Sequence, residues 1–317
     1  MTASRYITRK LLAGAALMLG VTFISFLLMV HSGPDQTFEL LGKNPSAAQI
    51  AEIRQALGYD DPLLRRYAAY LHGLATLDLG LSNTTGERVG GLISRTVPVT
   101  LALVLPGFVL GNLFGLLLGM FAAVRSGTWV DRAITGLSVL GMSISFLVVI
   151  IGLQVLLCTP YGLNLFPARG WEVSDFGSYL RHVFVPTLSI MFITIGYNTR
   201  FYRAVIAEEL SRDHVRTARA YGAGTGHILF ASALRNGSVA IMTRLMYSLP
   251  LIVVSGSLLI ETYFGIPGVG KATFDAISSG DQPVLKAVVG LTAVAFVMLQ
   301  TLTDIVYRWL DPRVVIR

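Results

Sequence analysis

Apolar residues gather in six long runs, near 9–30, 98–124, 134–158, 183–202, 238–260 and 284–307, and most of the charge falls between them. A helix needs about 20 mainly apolar residues to cross the hydrocarbon of a bilayer. Each run therefore predicts a membrane-spanning helix. The fourth is the weakest, because 186-PTLSIMFITIGYNTRFY-202 is short and turns polar early. The first follows Arg5, Arg9 and Lys10, as a secretory leader would. Its apolar stretch, Leu11 to Val30, is too long for one, and no A-x-A cleavage site follows. It reads as an uncleaved anchor.

Two polar segments carry helical patterns of their own. In 31–97, Ser46 is placed to cap a helix with Ile50, Ile53 and Leu57 on one face and Gly58 at its end. Asp61-Pro62 opens another, with Leu63, Tyr67, Tyr70 and Leu74 on one face. Both read as amphipathic helices lying on the outer membrane face or roofing the bundle. The second segment is 203-RAVIAEELSRDHVRTARAYGAGTGHILFASALRNG-237. Asp213 is placed to cap a short helix through Tyr221 that Gly222 ends. Thr225 is placed to cap a second, carrying Ile228, Leu229, Ala233 and Leu234. This basic helix–turn–helix admits three readings: DNA binding, a plain solvated loop, or a docking element for a partner on that side of the membrane. Both its ends are tethered to spans, which makes docking into a DNA groove awkward. Val215, Ala218, Tyr221 and Ile228 would be wasted in water, which favours the docking element.

Composition agrees with the spans. Of 317 residues, 53% are hydrophobic and 14% charged, with a mean hydropathy of +0.65; a soluble domain averages about 25% charged residues. Six spans put both ends on one side. If that side is inside, it carries 15 Lys/Arg against 6 Asp/Glu, and the outside 10 against 12. The asymmetry behind the net charge of +7 predicts both termini inside. One cysteine, Cys158 in an apolar run, excludes an intrachain disulfide and a Cys-rich metal site.

One stretch hints at nucleotide chemistry. In 264-FGIPGVGKATF-274, Gly265, Gly270 and Lys271 nearly spell a phosphate-binding loop. Ala272 stands where that loop needs Ser or Thr for Mg²⁺, and the stretch follows an apolar span rather than a buried strand. It reads as a coincidence, and physically as a tight turn at the outer end of a span. Glu261 there is either a snorkelling end-cap or a contact for substrate or a binding protein. Asn112, Gln154, Asn198 and Gln300 within spans read as interhelical hydrogen bonds, and Arg244 and Asp304 as a pair across helices. The five histidines show no metal-ligand spacing, and no nucleophile elbow or acid–base carboxylate pair is present. The chain reads as non-catalytic, with no cofactor or metal of its own.

The run D-H-V-R-T-A-R-A-Y-G, Asp213 to Gly222, with A-L-R-N at Ala233 to Asn236, resembles the EAA-type coupling loop of ABC-importer permeases, closest to the dipeptide/oligopeptide/nickel branch. The segments 53-IRQALGYDDPLLRRYAAYL-71 and 77-LDLGLS-82 resemble that branch's first permease subunit, and Thr100-Leu101 the start of its shared transmembrane domain. Gly256, Glu261, Phe264, Pro267-Gly268, Gly270, Asp281 and Pro283 match its G…E…F…PG.G…D.P pattern, and Asp304, Tyr307 and 311-DPR-313 its tail. The chain departs from the branch at Tyr221, Ser232, Ser145 and Gly33-Pro34-Asp35.

The resemblance implies an all-α membrane protein with the type I ABC-importer permease fold. Residues 1–96 would form the anchor and outer segment, 97–307 the permease domain with its coupling loop near 203–237, and 308–317 a cytoplasmic tail. It implies ATPase coupling through Asp213, Thr217, Ala218, Arg219, Ala220 and Gly222, and an outer gate at Glu261, Phe264, Pro267, Gly268, Gly270 and Asp281. Implied partners are a second related permease, two cytoplasmic ATPases that hold ATP and Mg, and an external substrate-binding protein, at a bacterial inner membrane. The implied solute is a di- or oligopeptide, with nickel chelates and other small solutes open. Two rivals remain: an ion-gradient-driven secondary transporter, and a membrane ATPase using 265-GIPGVGK-271.

Overall fold

The computed structural model describes residues 3–32, 46–56 and 61–310, with the backbone alone for a few helical stretches, 303–310 among them. Among these residues every regular element is a helix, and Leu81 and Arg88 form an isolated bridge. Four helices are each long and apolar enough to cross a membrane, in the segments Leu12–His31, Val89–Val124, Phe176–Ser211 and Gln282–Leu302. Trp129–Ser143 and Phe146–Cys158 add a fifth if taken together. The chain forms two compact units, Met1–Pro98 with Pro267–Thr301, and Val99–Ile266 with Leu302–Arg317.

The first unit holds α1 (Ala3–Ser32), α2 (Ala47–Ala56), α3 (Leu63–Thr76), the start of α4 (Val89–Val124), α12 (Val269–Ser279) and most of α13 (Gln282–Leu310). Ser46 caps α2 as its sequence predicts. Gln49 N donates to Ser46 Oγ at 3.3 Å, and Ser46 N donates back to Gln49 Oε1 at 3.0 Å, a reciprocal capping box. Gly58, the predicted end of this helix, lies outside the described residues, as do Gly33-Pro34-Asp35 and 311-DPR-313.

The predicted face of α3 is the inward one, but it packs against long helices rather than lying over them. Tyr67 OH lies 2.8 Å from Thr22 Oγ1 and donates to Leu19 O at 2.8 Å, while its ring meets Phe23 edge-on at 5.1 Å. Tyr70 OH donates to Lys286 O at 2.9 Å, and Leu74 is buried. Burial pushes the Tyr70 phenol up to about 12. Val89, Ala276, Val284, Ala287 and Val288 form the unit's buried cluster.

The second unit holds the rest of α4, then α5 (Trp129–Ser143), α6 (Phe146–Cys158), α7 (Phe176–Ser211), α8 (Asp213–Ala220), α9 (Thr225–His227), α10 (Leu234–Leu251) and α11 (Ser257–Phe264). Four glycines of α4, Gly107, Gly111, Gly115 and Gly119, face α7 at every fourth residue. A Cβ at Gly111 would stand 2.7 Å from Thr194 Cβ, and one at Gly119 2.9 Å from Arg203 N and Thr199 O. Small residues let helix backbones approach closely where lipid gives no hydrophobic drive for association.

The straight helix predicted over 134–158 is instead broken in two. Ile144 and Ser145 are extended, and α5 and α6 meet at a bend of 96°. The bend forms without a proline, and Ser143 Oγ turns back onto Val139 O at 2.8 Å. The run predicted over 238–260 is divided among α10, a π-helical stretch Ile252–Gly256, and α11.

Candidate functional site

The basic hairpin grows directly out of α7. Arg212 is extended, its backbone N–H donates to Glu209 O, and its guanidinium pairs with Glu209 at 3.0 Å. This ends α7 and starts α8. The turn after α8 is a Schellman cap. Gly222 N donates to Arg219 O at 2.9 Å and Ala223 N to Ala218 O at 3.0 Å, with Gly222 at φ +82°. Two predicted caps are corrected. Arg212, not Asp213, occupies the N-cap of α8, and Gly224, not Thr225, that of α9, neither with a side-chain bond. The predicted second helix is not a separate element either. α9 passes through a π-helical stretch, Ile228–Ala233, straight into α10. That continuity leaves no free recognition helix for a DNA groove.

Burial divides the hairpin's apolar residues. Val215 and Ile228 are fully buried, so they anchor the hairpin to its own chain rather than await a partner. Each such burial stabilises by about 1.5–3 kcal/mol. Ala218 is half-buried. Tyr221 stays 88% exposed and Phe230 62% exposed. Asp213, Thr217, Arg219, Ala220 and Gly222 are exposed around Tyr221.

A buried ion pair beneath the hairpin was not legible beforehand. Arg203 of α7 grips Asp131 of α5 with both ends of its fork, Nε on Oδ1 and Nη2 on Oδ2, the latter at 2.6 Å. Gly127 N adds a bond to Asp131 Oδ2 at 2.9 Å. Asp131 is 4% exposed. The pair links residues 72 apart in sequence. The only prior signal was that the charge count put both on the same side of the membrane.

The residues expected at the outer gate fall in both units. In the second, Glu261 is fully buried and accepts from Thr100 Oγ1 at 2.6 Å. That position does not suit an end-cap reaching for water. Phe264 is buried, and Gly265, at φ +68°, closes α11 with Ile266 N donating to Glu261 O at 2.8 Å. In the first unit, Pro267 is exposed and Gly268 and Gly270 are buried. Asp281 is 2% exposed. It accepts from Ser82 Oγ at 2.5 Å and Thr84 N at 3.3 Å, and it caps α13 at Val284 N. It ties the 82–84 turn to the start of α13. A cleft of about 440 Å³ in this unit is lined by Thr84, Arg95, Pro267, Lys271, Phe274 and Asp281.

The near-miss phosphate loop is settled by its shape. Gly268 precedes α12, and Gly270 and Lys271 lie inside it. Lys271 Nζ pairs with Asp275, one turn on, at 2.6 Å. Among the described residues no strand precedes the loop and no sheet is present to offer phosphate to it. Among the described residues no group of His, Cys, Asp and Glu can hold a metal ion.

The polar residues within spans behave in different ways. Asn198 Nδ2 donates to Asn112 Oδ1 at 2.6 Å, an interhelical bond as predicted. Gln154 Nε2 instead donates to Ala168 O, in the loop after its own helix, at 2.6 Å. Arg244 Nε donates to Asn198 Oδ1 at 3.0 Å. The side chain of Asp304, its predicted partner, lies outside the described residues.

The family model described as "Binding-protein-dependent transport system inner membrane component" matches residues 115–316, and the corresponding N-terminal model, "Binding-prot-dependent transport system membrane comp, N-term", matches residues 3–104. The chain belongs to this family. It is a multi-pass membrane permease component that works with other ABC-transporter subunits. It is 31% identical over 311 residues to the probable peptide ABC transporter permease protein y4tP of Sinorhizobium fredii, with 98% of each chain covered. It is 31% identical to the dipeptide transport system permease protein DppB of Bacillus subtilis, with 98% of each covered. For DppB of Lactococcus lactis the figure is 33%, over 98% of this chain and 99% of that one. A chain of the MetNI methionine ABC transporter, in an inward-facing conformation, shares the fold at a TM-score of 0.56 and 18% identity, over 69% of this chain and 96% of that one.

Proposed function

We propose that this permease carries di- or oligopeptides across a bacterial inner membrane, in an ATP-driven importer with a second permease, two cytoplasmic ATPases and an external binding protein. Near-full-length similarity to dipeptide and peptide permeases supports the solute class. Six spans with both termini inside fit the charge asymmetry. The Arg203–Asp131 pair fits the same arrangement, since it joins two segments assigned to one side. The observation that carries the coupling role is the hairpin. Its own apolar anchors are buried, yet it holds Tyr221 and Phe230 out, and Thr217, Arg219 and Ala220 are exposed as well. That is the surface a groove on an ATPase would take. ATP-driven movement of the groove would shift the hairpin, and α7 and α10 with it. Glu261, Phe264, Pro267, Gly268, Gly270 and Asp281 belong to the outer gate in this reading, with Glu261 and Asp281 holding it through buried hydrogen bonds rather than touching solute.

The test is purification of the tagged chain from its host in mild detergent, followed by mass spectrometry of what accompanies it. A second permease and one or two phosphate-loop ATPases are expected. Recovery of the chain alone, or as a homodimer that still transports when reconstituted, refutes the reading and favours a gradient-driven carrier.

A further inference from the structure

Arg244 carries a charge, within a predicted span, that no acid among the described residues answers. Its Nε donates to Asn198 Oδ1, and its Cζ stands 5.7 Å from the centroid of the Phe201 ring. Asn198 passes the contact on to Asn112 Oδ1, which also accepts from Tyr202 OH at 2.7 Å. Asn112 Nδ2 ends the series on Phe108 O at 2.8 Å. Asn112, Asn198 and Tyr202 are buried, and Arg244 is half-buried. The series ties α4, α7 and α10 to one guanidinium.

Only one edge of that guanidinium is used. Its Nη1 and Nη2 groups have no partner among the described residues. The acids on the neighbouring helices are engaged elsewhere: Asp131 with Arg203, Glu209 with Arg212, and Glu261 with Thr100. A guanidinium turned toward hydrocarbon is costly, and charged groups in spans face a bundle interior or a watery cavity. With Nε held by Asn198, the free edge offers two parallel N–H groups, the pattern that matches the two oxygens of a carboxylate.

We propose that the Nη1/Nη2 edge of Arg244 binds the free C-terminal carboxylate of the transported peptide. Asn198, Asn112 and Tyr202 act as positioning residues that fix the plane of the fork. The proposal rests on the peptide-importer reading above. It supplies a contact inside the membrane that favours a free carboxylate over a blocked one.

The experiment uses the whole complex with its binding protein in proteoliposomes. It compares ATP-driven uptake of trialanine with that of trialanine C-terminal amide. Each result is read as variant over wild type, so the binding protein's own preference cancels. Arg244→Gln is expected to lower trialanine uptake about tenfold or more, the usual scale for losing a charged hydrogen-bond pair, and amide uptake by less than about twofold. Arg244→Lys keeps the charge without the fork and is expected to recover part of the trialanine uptake. Equal loss of both peptides, or loss of neither, overturns the proposal. Loss of the second permease from the Arg244→Gln complex on size-exclusion also overturns it, by assigning the carboxylate to the partner subunit. Asp304→Asn is expected to leave trialanine uptake within about twofold; a tenfold fall there assigns the carboxylate to Asp304 instead. If the wild type hydrolyses ATP but takes up neither peptide, the peptide reading itself fails.

Discussion

Gly222 offers a controlled test of coupling, because three glycines lie in or just after one turn and only one of them needs to be glycine. A Cβ added at Gly222, Gly224 or Gly226 would meet nothing within 4 Å. Steric clash with neighbours therefore cannot separate them. Backbone conformation does. Gly222 sits at φ +82°, while Gly224 is at φ −68° and ψ 154°, a region that suits β-branched residues. Valine at 222 costs about 1–3 kcal/mol of backbone strain. At about 2 kcal/mol this shifts the balance between the observed turn and relaxed alternatives roughly thirty-fold. Asparagine tolerates the left-handed region, so Gly222→Asn is expected to retain most function. The assay is the ratio of solute uptake to ATP hydrolysis by the whole complex in proteoliposomes, at matched protein levels. Gly222→Val should lower that ratio sharply, while Gly224→Val and Gly226→Val stay near wild type. A normal ratio in Gly222→Val, or an equal fall in Gly224→Val, refutes the reasoning.

Other expectations follow from contacts already described. Asp131→Ala strands a largely buried guanidinium and should destabilise the folded chain by about 3–5 kcal/mol in detergent unfolding, with Asp131→Ala/Arg203→Met less harmful than the sum of its parts. Gly119→Ala forces a Cβ against the backbone of α7 and should cost about 1–3 kcal/mol. Gly152→Ala, with nothing within 4 Å, should be neutral or stabilise by up to about 1 kcal/mol; equal melting shifts in the two variants would contradict the close α4–α7 approach. Lys271→Ala breaks a partly exposed pair with Asp275, worth about 0–1 kcal/mol, and should leave ATP hydrolysis by the complex unchanged.

Local signals in the sequence proved readable where a single residue type decides the backbone. Ser46 capped α2, Gly222 closed α8 in the left-handed region, and the Leu63–Tyr67–Tyr70–Leu74 face turned inward. Asn112 and Asn198 met across helices for the same reason that such residues generally do in lipid. What escaped depended on pairing between distant segments. Asp131 and Arg203 each read as an ordinary inner-side charge, and nothing local marks them as partners. Gly107, Gly111, Gly115 and Gly119 had a visible period of four, the one missed signal that spacing alone contained. In the sequence Val215 and Ile228 read as surface for a partner, since burial by the chain's own fold does not show in periodicity. The bend at Ile144 and Ser145 carries no proline to announce it.

The two π-helical stretches, Ile228–Ala233 and Ile252–Gly256, stand at either end of α10. A π turn holds one residue more than an α turn. Each junction thus keeps a surplus residue in reserve, and one α-helical residue corresponds to about 100° of rotation and 1.5 Å of rise. A surplus residue handed along the chain from one junction turns the helical stretch it crosses about its own axis while leaving the ladder beyond intact. α10 is in this sense a spindle between two swivels, with Arg244 as its arm. In the coupling reading proposed above, a push on the Gly222 turn would reach that arm as torque, with no need to unwind a span.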